Sequence, residues 1–297
     1  MKISVVTASY NYAEYIEETI QSVLNQTYND WEMIIVDDGS SDNSVEIIQK
    51  YIKQDERIKL LTHENNVNKG LKETLLLGIQ KAQGDWIVFL ESDDMLREDY
   101  LEKKIVIAKK YPDVGLIFND TVLFGDEKRI MFSKKIFTES HNELIKKNFP
   151  RNIFKEMNVS NRILSFSTVM AKKSALCPEY FNTPVDRVLD WWLYIHITYK
   201  NDVYYIPEKL TLWRMHKGSY ISKKRGTRFH FIQVHAYLDI YKKVKPDREF
   251  LLFILWTIIL ILSFKTSQLN LYRIMIIRQI KSKFGLKLRN SPLFQDN

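Results

Sequence analysis

Cysteine occurs once in the 297 residues, as Cys177. An internal disulfide framework and a multi-cysteine zinc site are therefore excluded. Glycine is also scarce, with nine in all and none before Gly39. No glycine-rich loop can follow a first strand, so neither a P-loop nor a GxGxxG dinucleotide fingerprint sits there. The N-terminus, MKISVVTASYNY, is too short and too quickly polar for a signal peptide. The expectation is a chain that starts in the cytosol. Net charge is missing from most of the sequence. Of 44 basic and 36 acidic residues, 11 and 3 fall in 240–297, which leaves 33 of each before residue 240. The whole net charge of +8 therefore lies in the last fifth of the chain. That asymmetry points to a basic tail meeting an anionic surface.

What is present is an ordinary globular composition, 45% hydrophobic and 27% charged, so a disordered chain is excluded. Strand and helix patterns alternate. Buried, β-branched strands are expected at 2–9, 31–36, 58–62, 85–90 and 114–118. Amphipathic helices are expected at 12–26, 44–53, 70–82 and 98–110. Such alternation predicts a mostly parallel α/β sheet with right-handed crossovers and flanking helices. Periodicity weakens over 119–165, which reads as loops and short helices over the sheet edge. It returns at 165–171, 190–200, 203–206 and 209–215. From about residue 227 the pattern is helical. The expected organisation is one sheet domain, 1–226, and a helical extension, 227–297.

In an open parallel sheet, ligands bind at the carboxyl ends of the strands. Acidic residues collect at two of them: Asp37 and Asp38 after the second, and Glu91, Asp93 and Asp94 after the fourth. Carboxylates that close repel unless a cation neutralises them, and hard oxygen ligands suit Mg2+ or Mn2+. Capping of the helix near residue 98 explains Glu91–Asp94 equally well, and Asp37–Ser40 also reads as a turn.

Six segments together resemble the family 2 glycosyltransferases: TASYN at 7–11, SVLNQTY at 22–28, VDDGSSD at 36–42, FLESDD at 89–94, DWWL at 190–193 and YIPEKLTLWRMH at 205–216. The resemblance covers about residues 1–220. It implies the GT-A fold and a single α/β domain that binds a nucleotide-sugar. By position, it implies that Tyr10 meets the nucleoside and that Asp38 pairs with the base, typically uracil. It places Asp93 near the ribose and makes Asp94 the metal ligand of a DxD-like motif. Asp190 matches the general base, and His216 a loop residue near the metal and pyrophosphate. Three departures stand out. Glu91 replaces the usual Asp, Leu189 replaces a Glu common before the catalytic Asp, and Thr74–Leu77 lacks the usual Arg or Asn. Lys69 or Lys72 could supply that missing charge.

The function implied is an inverting, metal-assisted transfer of a sugar, UDP-linked, to a hydroxyl of a glycan or lipid-linked acceptor. The cofactor expected is Mn2+ or Mg2+. Inversion rests on the resemblance and on a single base with no evident nucleophile. Asp190 also reads as a helix N-cap, and His216 as a packed structural histidine. Trp191 and Trp192 read either as a sugar platform or as core. The alternative function is a degenerate, non-catalytic protein that binds nucleotide-sugar or membrane. A nucleotidyltransferase would need a glycine-rich basic loop after the first strand, and the acidic strand ends repel nucleic acid.

Phe250–Phe264 carries 15 uncharged residues, roughly 22 Å of helix against a bilayer core of about 30 Å. Arg273, Arg278, Lys281, Lys283, Lys287 and Arg289 follow. The pair of features reads as a monotopic anchor on an anionic membrane surface, or as a helix packed on the catalytic domain. The anchor reading puts the protein on the inner face of the cell membrane.

Overall fold

The computed structural model describes residues 1–131, 133, 147–159, 161–182 and 189–218. The expected extension 227–297, with Phe250–Phe264, lies outside the described residues. Residues 1–225 form one compact unit.

An eight-stranded sheet with the order β3-β2-β1-β4-β7-β6-β8-β5 organises this unit. Strands β1 (Ile3–Ser9), β2 (Trp31–Asp37), β3 (Ile58–Thr62) and β4 (Trp86–Phe89) are parallel to one another. Helices α1 (Ile16–Leu24), α2 (Ser44–Ile52) and α3 (Leu71–Lys81) connect them in turn. Every residue of β2 and β4 is buried, which explains the apolar runs Met33–Val36 and Trp86–Phe89. One core cluster joins Ile3, Val5, Met33, Ile35 and Val88 of the strands to Ile16, Ile20 and Val23 of α1 and Ile48 of α2. Gly78 lets α3 lie directly on β1 and β2: a Cβ there would fall 2.5 Å from Val6 Cγ1.

The second half of the sheet is mixed. Helix α4 (Tyr100–Lys110) leads into β6 (Leu116–Gly125), which runs parallel to β8 (Val203–Met215). Strand β7 (Val169–Lys172) runs antiparallel to both β4 and β6, and the two-residue β5 (Met95–Leu96) antiparallel to β8. The expected strand 114–118 continues seven residues further, into a stretch expected to be irregular. The two patterned stretches expected at 203–206 and 209–215 are one strand. Their apparent break is Pro207-Glu208, where register shifts interrupt the pairing of β8 with β6 around Asp120. Proline has no N–H to give the ladder, so it sits at such an irregularity. The pattern expected to return at 165–171 resolves into a 3-10 turn, Phe166–Thr168, ahead of β7, with Ser165 Oγ accepting the N–H of Ser167 at 3.0 Å. Helices α5 (Phe154–Val159) and α6 (Leu189–Lys200) pack together, and Trp191 Nε1 donates to the Met157 carbonyl at 2.7 Å. Among the described residues no helix is long and apolar enough to cross a membrane.

Candidate active site

The carboxyl ends of β1, β2, β4 and β8 converge with the first turns of α1 and α3. At β2, the two adjacent aspartates do different work. Asp37 accepts the N–H groups of Gly39 and Ser40 at 3.1 and 2.8 Å and the Ser40 hydroxyl at 2.5 Å. It is the turn former. Asp38 is buried and reaches across to the loop before α3, accepting from Lys69 N at 2.6 Å and Gly70 N at 2.9 Å. His63 Nε2 lies 3.5 Å from the same carboxylate. Gly39 has φ +81°, and a Cβ on it would lie 2.7 Å from the Asn66 carbonyl oxygen. The chain therefore presses that loop onto the end of β2. Tyr10, 46% exposed, stands beside it at the end of β1. Lys72, in the first turn of α3, pairs with Glu73 at 3.3 Å.

At the end of β4, Glu91, Asp93 and Asp94 also separate. Asp94 is wholly buried. It accepts from Ser167 Oγ at 2.6 Å and from the Arg214 N–H at 2.9 Å, with Ser165 Oγ at 3.4 Å. Glu91 accepts from Ser165 Oγ at 3.0 Å, the same hydroxyl that stands 3.4 Å from Asp94 Oδ2. The methylene that Glu has beyond Asp makes this reach possible. Burial and the charge of Asp93 push Glu91 up to about 8, and burial with the charges of Asp93 and Glu91 raises Asp94. Asp93 instead points to β8: its Oδ2 lies 2.8 Å from His216 Nε2. The expectation paired His216 with Asp94 and gave Asp93 to the ribose. The structure pairs His216 with Asp93 and turns Asp94 into the interior. The His216 ring rests 4.7 Å from Tyr15 and 6.1 Å from Tyr12. Burial, then the charges of Asp93, Glu91 and Asp94, raise the Tyr12 phenol.

Asp190 lies in the first turn of α6, one residue inside its start, so it is not the N-cap. Asn161 Nδ2 donates to its Oδ2 at 2.9 Å. Burial raises its carboxyl to about 6, against lowering by the Trp191 N–H and Asn161. The charge of Asp190 also helps to raise the Glu91 carboxyl. Trp191 and Trp192 are both 2% exposed, so both are core and neither is a surface platform. Leu189 is buried as well. Cys177 is a free, half-buried thiol.

Sequence reasoning did not single out the residues that hold these acids. Ser165, Ser167 and Asn161 are hydroxyl and amide partners that carry no motif of their own. Lys104 looks like a solvent-facing helical lysine, yet it is fully buried, and its ammonium donates to the carbonyls of Ile117 and Thr168 at 2.8 and 2.7 Å. It ties the Ser165–Thr168 turn to β6, and burial lowers its pKa well below the usual lysine value.

Asp93 and His216 offer one oxygen and one nitrogen donor side by side. Among the described residues, no three His, Cys, Asp or Glu side chains gather into a metal cage. A carboxylate and an imidazole alone fit the mode in which substrate phosphates and waters complete the shell of Mg2+ or Mn2+.

The glycosyl transferase family 2 model matches residues 4–176. A Bacillus subtilis protein named as a teichuronic acid biosynthesis glycosyltransferase, TuaG, is 46% identical over 103 residues, 35% of this chain and 40% of that protein. The B. subtilis glycosyltransferase EpsH is 26% identical over 258 residues, 81% of this chain and 72% of that one. The match thus spans well under half the length of the TuaG relative. In fold, the chain is similar to S. aureus TarS 1-349, with a TM-score of 0.63 at 17% identity over 97% of this chain and 76% of that one. TarS has also been solved with UDP-GlcNAc, where the TM-score is 0.60 at 18% identity over 81% and 66%. A third neighbour is a Pyrobaculum calidifontis mannosyltransferase in complex with GDP-Man and Mn2+, with a TM-score of 0.54 at 17% identity over 81% and 64%. These likenesses agree with the expected GT-A fold.

Proposed function

The chain belongs to glycosyl transferase family 2, and from that premise we propose that it transfers a sugar, with inversion, from a UDP-linked donor to a hydroxyl of a glycan or lipid-linked acceptor. The observation that carries this reading is the Asp93–His216 pair at 2.8 Å, set at the sheet end that also holds Asp38 and Asp190. A divalent cation bound there would neutralise the diphosphate as it leaves. Asp93 and His216 are its protein ligands, which moves that role from Asp94 to its neighbour. Asp38 and Tyr10 border the nucleoside, and Asp38 also holds the 69–70 backbone that forms one wall. Lys72 flanks the phosphates from the first turn of α3. Asp190 takes the proton of the acceptor hydroxyl. A carboxyl raised to about 6 is ionised at neutral pH yet basic enough to accept that proton. Asn161 fixes its orientation. The names and bound molecules of the relatives, teichuronic acid biosynthesis for TuaG and UDP-GlcNAc for TarS, support an envelope glycan as product and UDP as carrier.

The test is a donor screen. Purified protein with Mn2+ and a panel of nucleotide-sugars should release free UDP slowly from one or a few UDP-sugars. Release from none, together with no nucleotide binding, would favour the degenerate reading.

The basic extension 227–297 belongs to the same proposal as a contact with anionic membrane. The full chain should sediment with anionic vesicles, with the electrostatic part weakened at 1 M salt, where the Debye length is about 3 Å. A chain ending near Lys245 should stay soluble and still bind nucleotide. If the shortened chain aggregates and the full chain ignores vesicles, the segment is core.

A further inference from the structure

Arg214 fills the space between α1 and the ends of β4, β6 and β8. Its backbone N–H donates to Asp94 Oδ1 and its Nε to the Asp93 carbonyl oxygen, both at 2.9 Å. Its Nη2 reaches Glu18 Oε2 on α1 at 2.5 Å. The guanidinium carbon lies 4.8 Å from the Tyr15 ring centroid and 4.5 Å from that of Phe124. Two residues further on, His216 rests on the same Tyr15 ring and bonds the Asp93 side chain. Arg214 therefore touches the backbone of one member of the pair and the aromatic rest of the other.

We propose that Arg214, oriented by Glu18, is a positioning residue that sets the Asp93 carboxylate and the His216 imidazole in register for a shared divalent cation. The proposal rests on the metal reading above. Magnitudes favour an orienting role over a stabilising one. Glu18 is half exposed, and such ion pairs contribute little to stability. Outer partners of metal ligands, by contrast, change metal affinity by about 10–100-fold. The geometry also needs the guanidinium fork. Nε and Nη2 serve two acceptors on different elements while the plane lies between two rings, and a lysine ammonium has neither the second fixed donor nor the plane.

The experiment is a Mn2+ titration followed by electron paramagnetic resonance, with UDP present and no sugar to turn over. Wild type is compared with R214K, R214Q, E18Q and D93N, each also tested for thermal stability and for UDP binding without metal. R214K and R214Q should weaken Mn2+ by about 10–100-fold, and E18Q should act in the same direction with a smaller change. UDP affinity without metal should stay at the wild-type value, which a general loosening of the fold would not allow. Should R214Q fail to fold, R214K and E18Q carry the test. Wild-type Mn2+ affinity in R214K and E18Q, with D93N impaired, overturns the proposal and leaves the metal reading standing. Wild-type affinity in D93N overturns the metal reading and the proposal with it.

Discussion

Asp190→Asn should lower turnover by about 10²–10⁴-fold, the usual range for a lost general base, with donor affinity little changed. The amide keeps the shape of the carboxyl and can still meet Asn161, but it cannot take a proton. Wild-type turnover should rise as pH passes up through about 6, because burial raises the Asp190 carboxyl and the base works only when ionised. The sign for stability is opposite. An acid raised in the folded state favours the fold while protonated, and that contribution is lost as pH rises through about 6. Turnover therefore climbs in the window where this term in stability declines. Steady-state rates at saturating acceptor, beside melting curves across the same pH range, separate the two. Near wild-type rates in Asp190→Asn would reduce the residue to a structural partner of Asn161.

Asp93 and Asp94 should fail in different ways. Asp93→Asn should weaken Mn2+ binding in the presence of UDP by more than about 100-fold, beyond what loss of an outer partner causes. The fold should hold, since the Asp93 carboxylate faces His216 at the rim of the sheet. Asp94→Ala should destabilise the domain by about 1–3 kcal/mol. The Ser167 hydroxyl and the Arg214 N–H would lose their acceptor inside the protein. A fall of several degrees in melting temperature is the readout. Calorimetric Mn2+ titrations and thermal melts on both variants decide the assignment. Loss of Mn2+ affinity in Asp94→Ala at unchanged stability, with Asp93→Asn silent, would restore the metal to Asp94.

Much of the first half of the fold was legible in the sequence for a simple reason. Strands β1, β2 and β4 are buried almost throughout, so apolar and β-branched residues dominate at 3–9, 31–37 and 86–89. The amphipathic helices between them leave room for parallel pairing alone. The second half was less legible because its pairing is decided between distant segments. Residues 119–125 form a strand only because 209–215 lie beside them. Pro207 made one strand read as two. Met95–Leu96 is too short to carry any period and exists as a strand only against Thr211–Leu212.

The site divides along the same line. The sequence alone determined that carboxylates stand at the ends of β2 and β4, that an acid lies in the first turn of α6, and that a histidine follows the patterned stretch 209–215, because those positions follow from where the patterns start and stop. It could not determine which way adjacent side chains turn. Asp37 and Asp38 differ by one residue, as do Asp93 and Asp94, yet Asp37 closes its own turn while Asp38 reaches the loop before α3, and Asp94 is held in the interior while Asp93 faces His216. Only the tertiary structure decided that. The donors that settle it, Ser165, Ser167, Arg214 and the backbone of Lys69 and Gly70, come from segments about 30 to 120 residues away. A buried carboxylate goes where its hydrogen bonds can be met, and those partners exist only once the sheet has closed.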